Sequence, residues 1–126
     1  MNKIMKVAIP VDEKTLTSSV CASFGRTPYF LIYDTETEES RYINNSGTAD
    51  TGGAGIKAAQ TVADHTADTL LVLRLGENAA KVLKSAEIKI YKSIEGSAKD
   101  NIDALIAGKL SLLDEIHAGF HGNGDC

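Results

Sequence analysis

The sequence predicts an α/β domain in which helices pack on both faces of a mixed β-sheet, a three-layer α/β/α arrangement. Apolar residues recur with a period of two early in the chain, and short apolar runs alternate with helical patterns in the second half. The chain has 126 residues, of which 43% are hydrophobic and 24% charged. A chain of this length and composition can bury one core without help from disulfides.

The first part of the chain predicts three strands, at residues 5–11, 29–33 and 41–43. Pro10 has no N–H to donate to a neighbouring strand, so the first strand is expected to end there. A long loop follows over residues 12–27. The acidic tract 34–39 separates the second and third strands and is typical of a solvated hairpin turn.

The second part predicts helices over residues 55–66, from 76 to 86 and from 97 to 108, and strands at 69–73 and 88–91. Ile56, Ala59 and Ala63 form the apolar stripe of the first helix. Ser97 begins the third helix with a pattern like a capping box, and Ile102, Leu105 and Ile106 form its apolar face. Gly108 is expected to end that helix. The order is βββαβαβα, and the strand–helix alternation requires parallel pairing.

Composition excludes several classes of function. The net charge is −4 and no basic stripe is present, so binding to nucleic acid is not expected. No apolar stretch approaches the ~20 residues of a membrane helix, and the first ten residues do not resemble a signal peptide. Two cysteines form no disulfide framework, which favours a reducing cytoplasm. We expect residues 1–110 to form the domain and residues 111–126 a mobile tail.

The predicted strand order brings three loops to one edge of the sheet. If the second strand is antiparallel to its neighbours, the first, third and fourth strands are parallel and their carboxyl ends coincide. The loops at 12–27, 44–55 and 74–78 then meet, and ligands of open α/β sheets bind at such an edge.

The glycine-rich loop at 47–55 precedes a helix, so its amides favour an anion such as a phosphate, a sulfide cluster or a carboxylate. The alternative is a flexible connection that needs glycine for its backbone angles. Residues 53–58 fit G-x-G-x-x-A, but a hairpin precedes them, which is the wrong context for a dinucleotide site. No Walker A loop is present.

Two further regions contain candidate metal ligands. In the first loop, the Cys21 thiolate could ligate a soft metal and Arg26 could hold an anion; an inert cysteine is the alternative. Near the end of the chain, a set of residues resembles a metal-binding tail: His117, His121, Asp125 and Cys126. A mobile terminus without metal is the alternative there.

Five segments, in order and in register, resemble the dinitrogenase iron–molybdenum cofactor biosynthesis family, the nitrogenase accessory factor-like domain. They are KVAIPVD at 6–12, FGRTPYFLIYD at 24–34, GGAG at 52–55, LGENA at 75–79 and AGKL at 107–110. The resemblance implies a ribonuclease H-like fold with sheet order 3-2-1-4-5 and an antiparallel second strand.

The resemblance also implies non-enzymatic binding or carriage of an iron–sulfur or molybdenum-containing cluster. The expected cofactor-binding residues are Cys21, Ser23, Arg26, Gly52, Gly53, Gly55, Gly76 and Asn78, and the expected metal ligands are Cys21, His117, His121 and Cys126. Ser23 stands where the family usually has a histidine ligand. Cys21, two residues earlier, is the candidate substitute. Arg74 and Glu77 also depart from the family pattern and change the charge of the edge.

The partner expected from this role is a cluster donor or acceptor protein, and the chain is expected to be a monomer. A small regulatory or scaffold module that binds a protein or an anionic metabolite without metal is the alternative. A nuclease of the ribonuclease H type is disfavoured because it needs clustered carboxylates for two metal ions. Only Asp12 and Glu13 lie together near a strand end.

Overall fold

The computed structural model describes residues 5–45 and 54–113. These residues form five strands and three helices: β1 Lys6–Val11, β2 Tyr29–Asp34, β3 Ser40–Asn44, α1 Ala54–Asp64, β4 Thr69–Val72, α2 Glu77–Ser85, β5 Lys89–Lys92 and α3 Ala98–Ile106. All eight elements predicted from the sequence are present, with ends that differ by a few residues.

The strands form one sheet in the order β3-β2-β1-β4-β5. β2 is antiparallel to both β1 and β3, whereas β4 is parallel to β1 and β5. This confirms the predicted mixed sheet with β1 at its centre. β1 continues one residue past Pro10 because its pairing with β2 extends to Val11, whereas its pairing with β4 covers Val7 and Ala8.

Helices cover both faces of the sheet, as predicted. α1 and α2 pack on one face, where the buried residues of one apolar cluster include Phe30, Leu70, Val62 and Leu83. α3 packs on the other face against a second cluster built around Ile9, Leu31, Leu71 and Ile102. Alternate residues of β1, β2 and β4 enter the two clusters, which is the period of two expected for strands covered on both faces.

Two predicted helix faces differ in detail from the structure. In α1 the fully buried residues are Ala58, Ala59 and Val62, so the stripe is rotated slightly from the predicted one. In α3, Ile106 is 47% exposed, because it lies at the margin of the face that Ala98, Asn101, Ile102 and Leu105 bury against the sheet. The predicted end of α3 is confirmed: Gly108 follows it with φ 74°.

The outer edge of β5 pairs with residues 111–113. The amide of Lys92 donates to the carbonyl of Ser111, and the amide of Leu113 donates to the carbonyl of Ile90. Residues 114–126 lie outside the described part of the chain. No helix within the described ranges has the length and apolar character needed to cross a bilayer.

Candidate functional site

The carboxyl ends of β1, β3, β4 and β5 lie at one edge of the sheet, together with the beginning of β2. The segments that follow these strands, and the amino ends of all three helices, therefore lie at this carboxyl edge. The sequence predicted this meeting of loops from the strand order, and the described parts of the three loops confirm it.

The loop between β1 and β2 begins on the α3 side of the carboxyl edge. The amide of Ala98 donates to the carbonyl of Ser18 over 2.8 Å, and that of Lys99 donates to the carbonyl of Leu16 over 3.0 Å. Ser19 forms a bridge with Ser97. The first part of the loop therefore covers the amino end of α3.

The second part of the same loop lies on the α1 and α2 side. Val20 forms a bridge with Val11, and the amide of Cys21 donates to the carbonyl of Pro10 over 2.8 Å, which fixes the point where the loop crosses the edge. Beyond it, Phe24 is buried in the apolar cluster beneath α1 and α2, with its ring centroid 5.3 Å from that of Phe30. Residues 21–26 therefore share a side with α1 and α2.

Two buried polar side chains hold the end of this loop in place. The Asn45 side-chain amide donates to the carbonyls of Gly25 and Thr27 over 3.0 and 2.9 Å. The hydroxyl of Thr27, which is fully buried, lies 2.9 Å from the carbonyl of Val11. Because buried backbone carbonyls need hydrogen-bond partners, these contacts stabilise one conformation of the loop.

The amino end of α3 is closed to a ligand. The hydroxyl of Ser97 accepts a hydrogen bond from the amide of Asp100, and the amide of Ser97 donates to the Asp100 carboxylate, which makes a complete capping box. The next two amides, of Ala98 and Lys99, donate to the loop carbonyls described above. All the first-turn N–H groups of α3 are thus consumed within the protein.

The amino end of α2 is different because no side chain caps it. Its N-cap residue, Gly76, is extended, with φ −79° and ψ 161°, and provides no side-chain hydrogen bond. The amides of Glu77, Asn78 and Ala79 have no acceptor within the described residues. A helix amino end carries positive partial charge, and donors without a partner there, as among the described residues of α2, are the arrangement that binds anions.

The first turns of α1 and α2 lie against each other. A Cβ placed on Gly55 would lie 3.6 Å from the Cβ of Ala79, so the two backbones approach closely at this point. The positive ends of two helices therefore meet on the same side of the carboxyl edge as residues 21–26. Gly55, Gly76 and Asn78, which the sequence proposed as ligand-binding residues, lie in these two helix ends.

The three predicted residues of the first loop have different environments. Cys21 is 1% exposed, and its sulfur lies 3.5 Å from the carbonyl oxygen of Ser23. Ser23 is half-buried and Arg26 is exposed. The Arg26 guanidinium is thus the accessible positive charge of this segment.

The chemistry of Cys21 differs from the expectation of a reduced thiol. Its sulfur takes part in a disulfide bond, and the described residues contain no free cysteine. A disulfide sulfur is not a thiolate and does not have a thiolate's affinity for metals. Ligation by Cys21 therefore requires reduction first.

The remaining predicted residues, Gly52, Gly53, His117, His121 and Cys126, lie outside the described residues. Within residues 5–45 and 54–113, no three histidine, cysteine, aspartate or glutamate side chains are grouped so that they could hold a metal ion. The described donors at the edge are mainly N–H groups, which suit an anionic ligand better than a bare cation.

Sequence reasoning missed the polar residues that shape the edge. Ser18 is buried, and its hydroxyl oxygen accepts from the amides of Asp12 and Glu13. Thr27 and Asn45 hold the other end of the loop. The one available signal was position, since Asn45 directly follows a strand and precedes the glycine-rich loop.

The family model described as dinitrogenase iron-molybdenum cofactor matches residues 5–108. The chain belongs to this family. The match covers every strand and helix of the fold, so the resemblance noted in the five sequence segments is confirmed. Comparison with curated proteins gave no significant match.

Solved structures of the same fold include the apo form of the orange protein from Desulfovibrio gigas, with 25% identity and a TM-score of 0.86 over 93% of this chain and 99% of that one. A Thermotoga protein with a provisional NifB assignment has 34% identity and a TM-score of 0.80 over 92% and 99% of the two chains. A provisionally assigned dinitrogenase from Methanocaldococcus jannaschii, with 23% identity and a TM-score of 0.69 over 91% and 98%, shares the fold.

Proposed function

We propose that this protein binds and carries a preformed metal–sulfur cluster, of the iron–sulfur or molybdenum-containing kind, at the carboxyl edge of its sheet. The observation that carries the proposal is the pairing of two helix amino ends, of which that of α2 has no side-chain cap. Membership of the iron–molybdenum cofactor family supports the choice of a cluster as the anion. No catalytic step is part of this proposal.

The donor set suits a cluster that arrives already assembled. A metal–sulfide cluster with net negative charge already has sulfide around its metals, so the protein need supply few ligands. Hydrogen bonds from charged or backbone N–H groups to such an anion are of the stronger, charge-assisted kind. The amides of Glu77, Asn78 and Ala79, together with the Arg26 guanidinium, are the proposed donors.

Cys21 is proposed as the one thiolate ligand in the described region, and it acts only in the reduced protein. Since Ser23 replaces the imidazole that the family usually places there, the loop has no histidine to take this role. A thiolate at Cys21 needs a reducing compartment, which we propose to be the cytoplasm. The proposed partner is a protein that donates or accepts the cluster, and the proposed state is a monomer.

The test is a titration of reduced, anaerobic protein with tetrathiomolybdate, followed by amide chemical shifts and by the charge-transfer absorption of the bound anion. The expected result is saturable shifts at Gly55, at Gly76 and at the first three residues of α2. Molybdate, which has the same charge but no sulfide, is the matched ligand and is expected to bind more weakly. Metal analysis after gel filtration measures retention.

A proline substitution can remove a single amide without unfolding α2. Glu77 is the first helical residue, where proline is well tolerated, and Gly76 before it already has the extended angles that precede a proline. Glu77→Pro is expected to weaken binding about tenfold relative to Glu77→Gln, which removes the same charge but keeps the N–H.

Cys21→Ser and Arg26→Gln separate the other contributions. Loss of metal retention in Cys21→Ser indicates direct thiolate ligation, whereas retention in that variant but not in Arg26→Gln indicates a site of hydrogen bonds alone. Equal affinity for molybdate and tetrathiomolybdate would contradict the cluster proposal and favour a module that binds an anionic metabolite. The absence of any shift at the carboxyl edge would refute both.

A further inference from the structure

A depression lies at the amino-terminal edge of the sheet, opposite the carboxyl edge, on the face that α1 and α2 cover only in part. Its volume is about 160 Å³, and it is lined by Lys6, Ile32, Asp34, Glu39, Arg41, Ile43 and His65. The sheet register explains this lining. Ile32 is paired with Arg41, Asp34 is paired with Lys6, and the amide of Asp34 donates to the carbonyl of Glu39.

The floor of the depression is apolar and its rim is charged with both signs. Ile32 and Ile43 provide the floor, at a place where α1 ends and no other helix of the described ranges covers the sheet. Lys6 and Arg41 provide two positive charges, and Asp34 and Glu39 provide two negative charges. The formal charges of the rim sum to zero when His65 is neutral.

The rim charges do not neutralise one another. Neither Arg41 nor Glu39 forms an ion pair with any described residue, although both line the same small space. Asp34 uses one oxygen, Oδ1, to accept from the amides of Glu36 and Thr37. Its other oxygen has no partner within the described residues.

Two further contacts orient the rim. His65 Nδ1 lies 2.8 Å from the carbonyl oxygen of Thr61 and therefore carries the hydrogen, so in the neutral ring Nε2 is an acceptor. The Lys6 ammonium donates to the hydroxyl of Thr66 over 3.1 Å. Thr66 has φ 60°, a left-handed conformation that is unusual for a β-branched residue.

From these observations we propose that the depression binds a small α-amino acid with an apolar side chain. A ligand with only a negative charge would be repelled by Asp34 and Glu39. A ligand with only a positive charge would be repelled by Lys6 and Arg41. A zwitterion pairs its carboxylate with the cations and its ammonium with the carboxylates, while its side chain covers the two isoleucines. This site is separate from the proposed cluster site and does not depend on it.

The size and the donor set agree with this class of ligand. A volume of about 160 Å³ is well below the ~300–1,000 Å³ of pockets for drug-sized ligands, so the depression suits a small molecule. A bare metal ion is a poor alternative, because His65, Asp34 and Glu39 do not form a metal-binding group in the described structure.

The test uses L-leucine and two analogues that each lack one charge, 4-methylpentanoate and 3-methylbutylamine, with amide chemical shifts as the readout. L-Leucine is expected to cause saturable shifts at Ile32, Arg41 and Ile43, with none at the amino end of α2. Each analogue is expected to bind at least about tenfold more weakly, because it leaves one pair of rim charges without a partner.

Two single substitutions test the rim directly, each with a matched control. Arg41→Gln and Glu39→Gln are each expected to weaken L-leucine binding about tenfold. Lys89→Gln, an exposed basic strand residue outside the depression, and Glu36→Gln, an exposed acid of the same turn, are expected to leave it unchanged. Lack of saturable shifts up to the solubility limit of leucine would overturn the proposal, as would equal binding of either analogue.

Discussion

Replacing Glu87 by glycine is expected to stabilise the protein, because two helices of this fold end in the same motif with different residues at the critical position. After α2, the amide of Ile88 donates to the carbonyl of Leu83, and that of Glu87 donates to the carbonyl of Lys84. The amides of Lys109 and Gly108 repeat this pattern after α3. Both ends are Schellman motifs, in which the residue after the C-cap is left-handed.

The left-handed position has φ 61° at Glu87 and φ 74° at Gly108. A residue with a side chain pays roughly 1 kcal/mol or more for this conformation, whereas glycine adopts it freely. Glu87 also places a negative charge at the carboxyl end of α2, which costs a few tenths of a kcal/mol. Glu87→Gly is therefore expected to raise the free energy of unfolding by about 1–1.5 kcal/mol.

The reciprocal change tests the same reasoning at α3. A Cβ added at Gly108 would meet nothing within 4 Å, so Gly108→Ala introduces backbone strain and no steric contact. We expect it to lower the free energy of unfolding by about 1 kcal/mol. Glu87→Gln distinguishes the effect of the charge from that of the backbone strain, because it removes the charge and keeps the Cβ. It is expected to raise the free energy of unfolding by only a few tenths of a kcal/mol.

Urea denaturation of the reduced protein measures these differences as shifts of the midpoint at constant slope. The melting temperature of Glu87→Gly is expected to rise by about 3–6 °C. A Glu87→Gly variant no more stable than Glu87→Gln would refute the argument from backbone strain. So would a Gly108→Ala variant as stable as the natural protein.

Three further predictions concern buried or capping groups. Asn45→Ala leaves two loop carbonyls without their donor and is expected to lower the free energy of unfolding by roughly 2–3 kcal/mol, as measured by urea denaturation. A decrease below about 0.5 kcal/mol would mean that other contacts hold the loop. Ser97→Ala removes the capping box of α3 and is expected to cost about 1 kcal/mol, whereas Ser97→Asn should retain most of the stability. Burial, with a smaller effect from Glu38, raises the pKa of Tyr33 above the ordinary value of 10.0. As the pH rises, the Tyr33 hydroxyl therefore loses its proton in the unfolded chain before it does so in the folded protein, and the free energy of unfolding is expected to fall above pH 10. Tyr33→Phe is expected to make this fall shallower. The same dependence of the free energy of unfolding on pH in both proteins would contradict the role of Tyr33.

The local patterns of the sequence were sufficient to predict the strands and helices, and the family resemblance supplied their order in the sheet. The alternation around Ile9, the apolar run at β4 and the stripes of the helices are short-range signals, and each reports burial directly. The first strand, predicted at 5–11, ends at Val11, directly after Pro10. Ile106 was expected to be buried, but it lies at the margin of the buried face of α3.

The sequence was sufficient to predict the edge of the sheet at which the candidate site lies. It was not sufficient to predict, for each helix, whether the amides of the first turn have acceptors within the protein. Strand order alone places the loops after β1, β3 and β4 together, since parallel strands end at the same edge. Ser97 and Asp100 predicted a cap for α3 from their spacing. Gly76 is equally visible in the sequence, but nothing nearby indicates whether another part of the chain covers the amides that follow it.

The strands and helices, the mixed sheet and the family could all be predicted from the residues alone. The tertiary structure was needed to show that the amino end of α3 is closed by the loop after β1, whereas the amides at the amino end of α2 have no acceptor among the described residues. The loop after β1 crosses the carboxyl edge and supplies the carbonyls of Leu16 and Ser18 to the amino end of α3. These contacts join residues far apart in the chain, and a pattern read along the sequence carries no information about such distant hydrogen bonds.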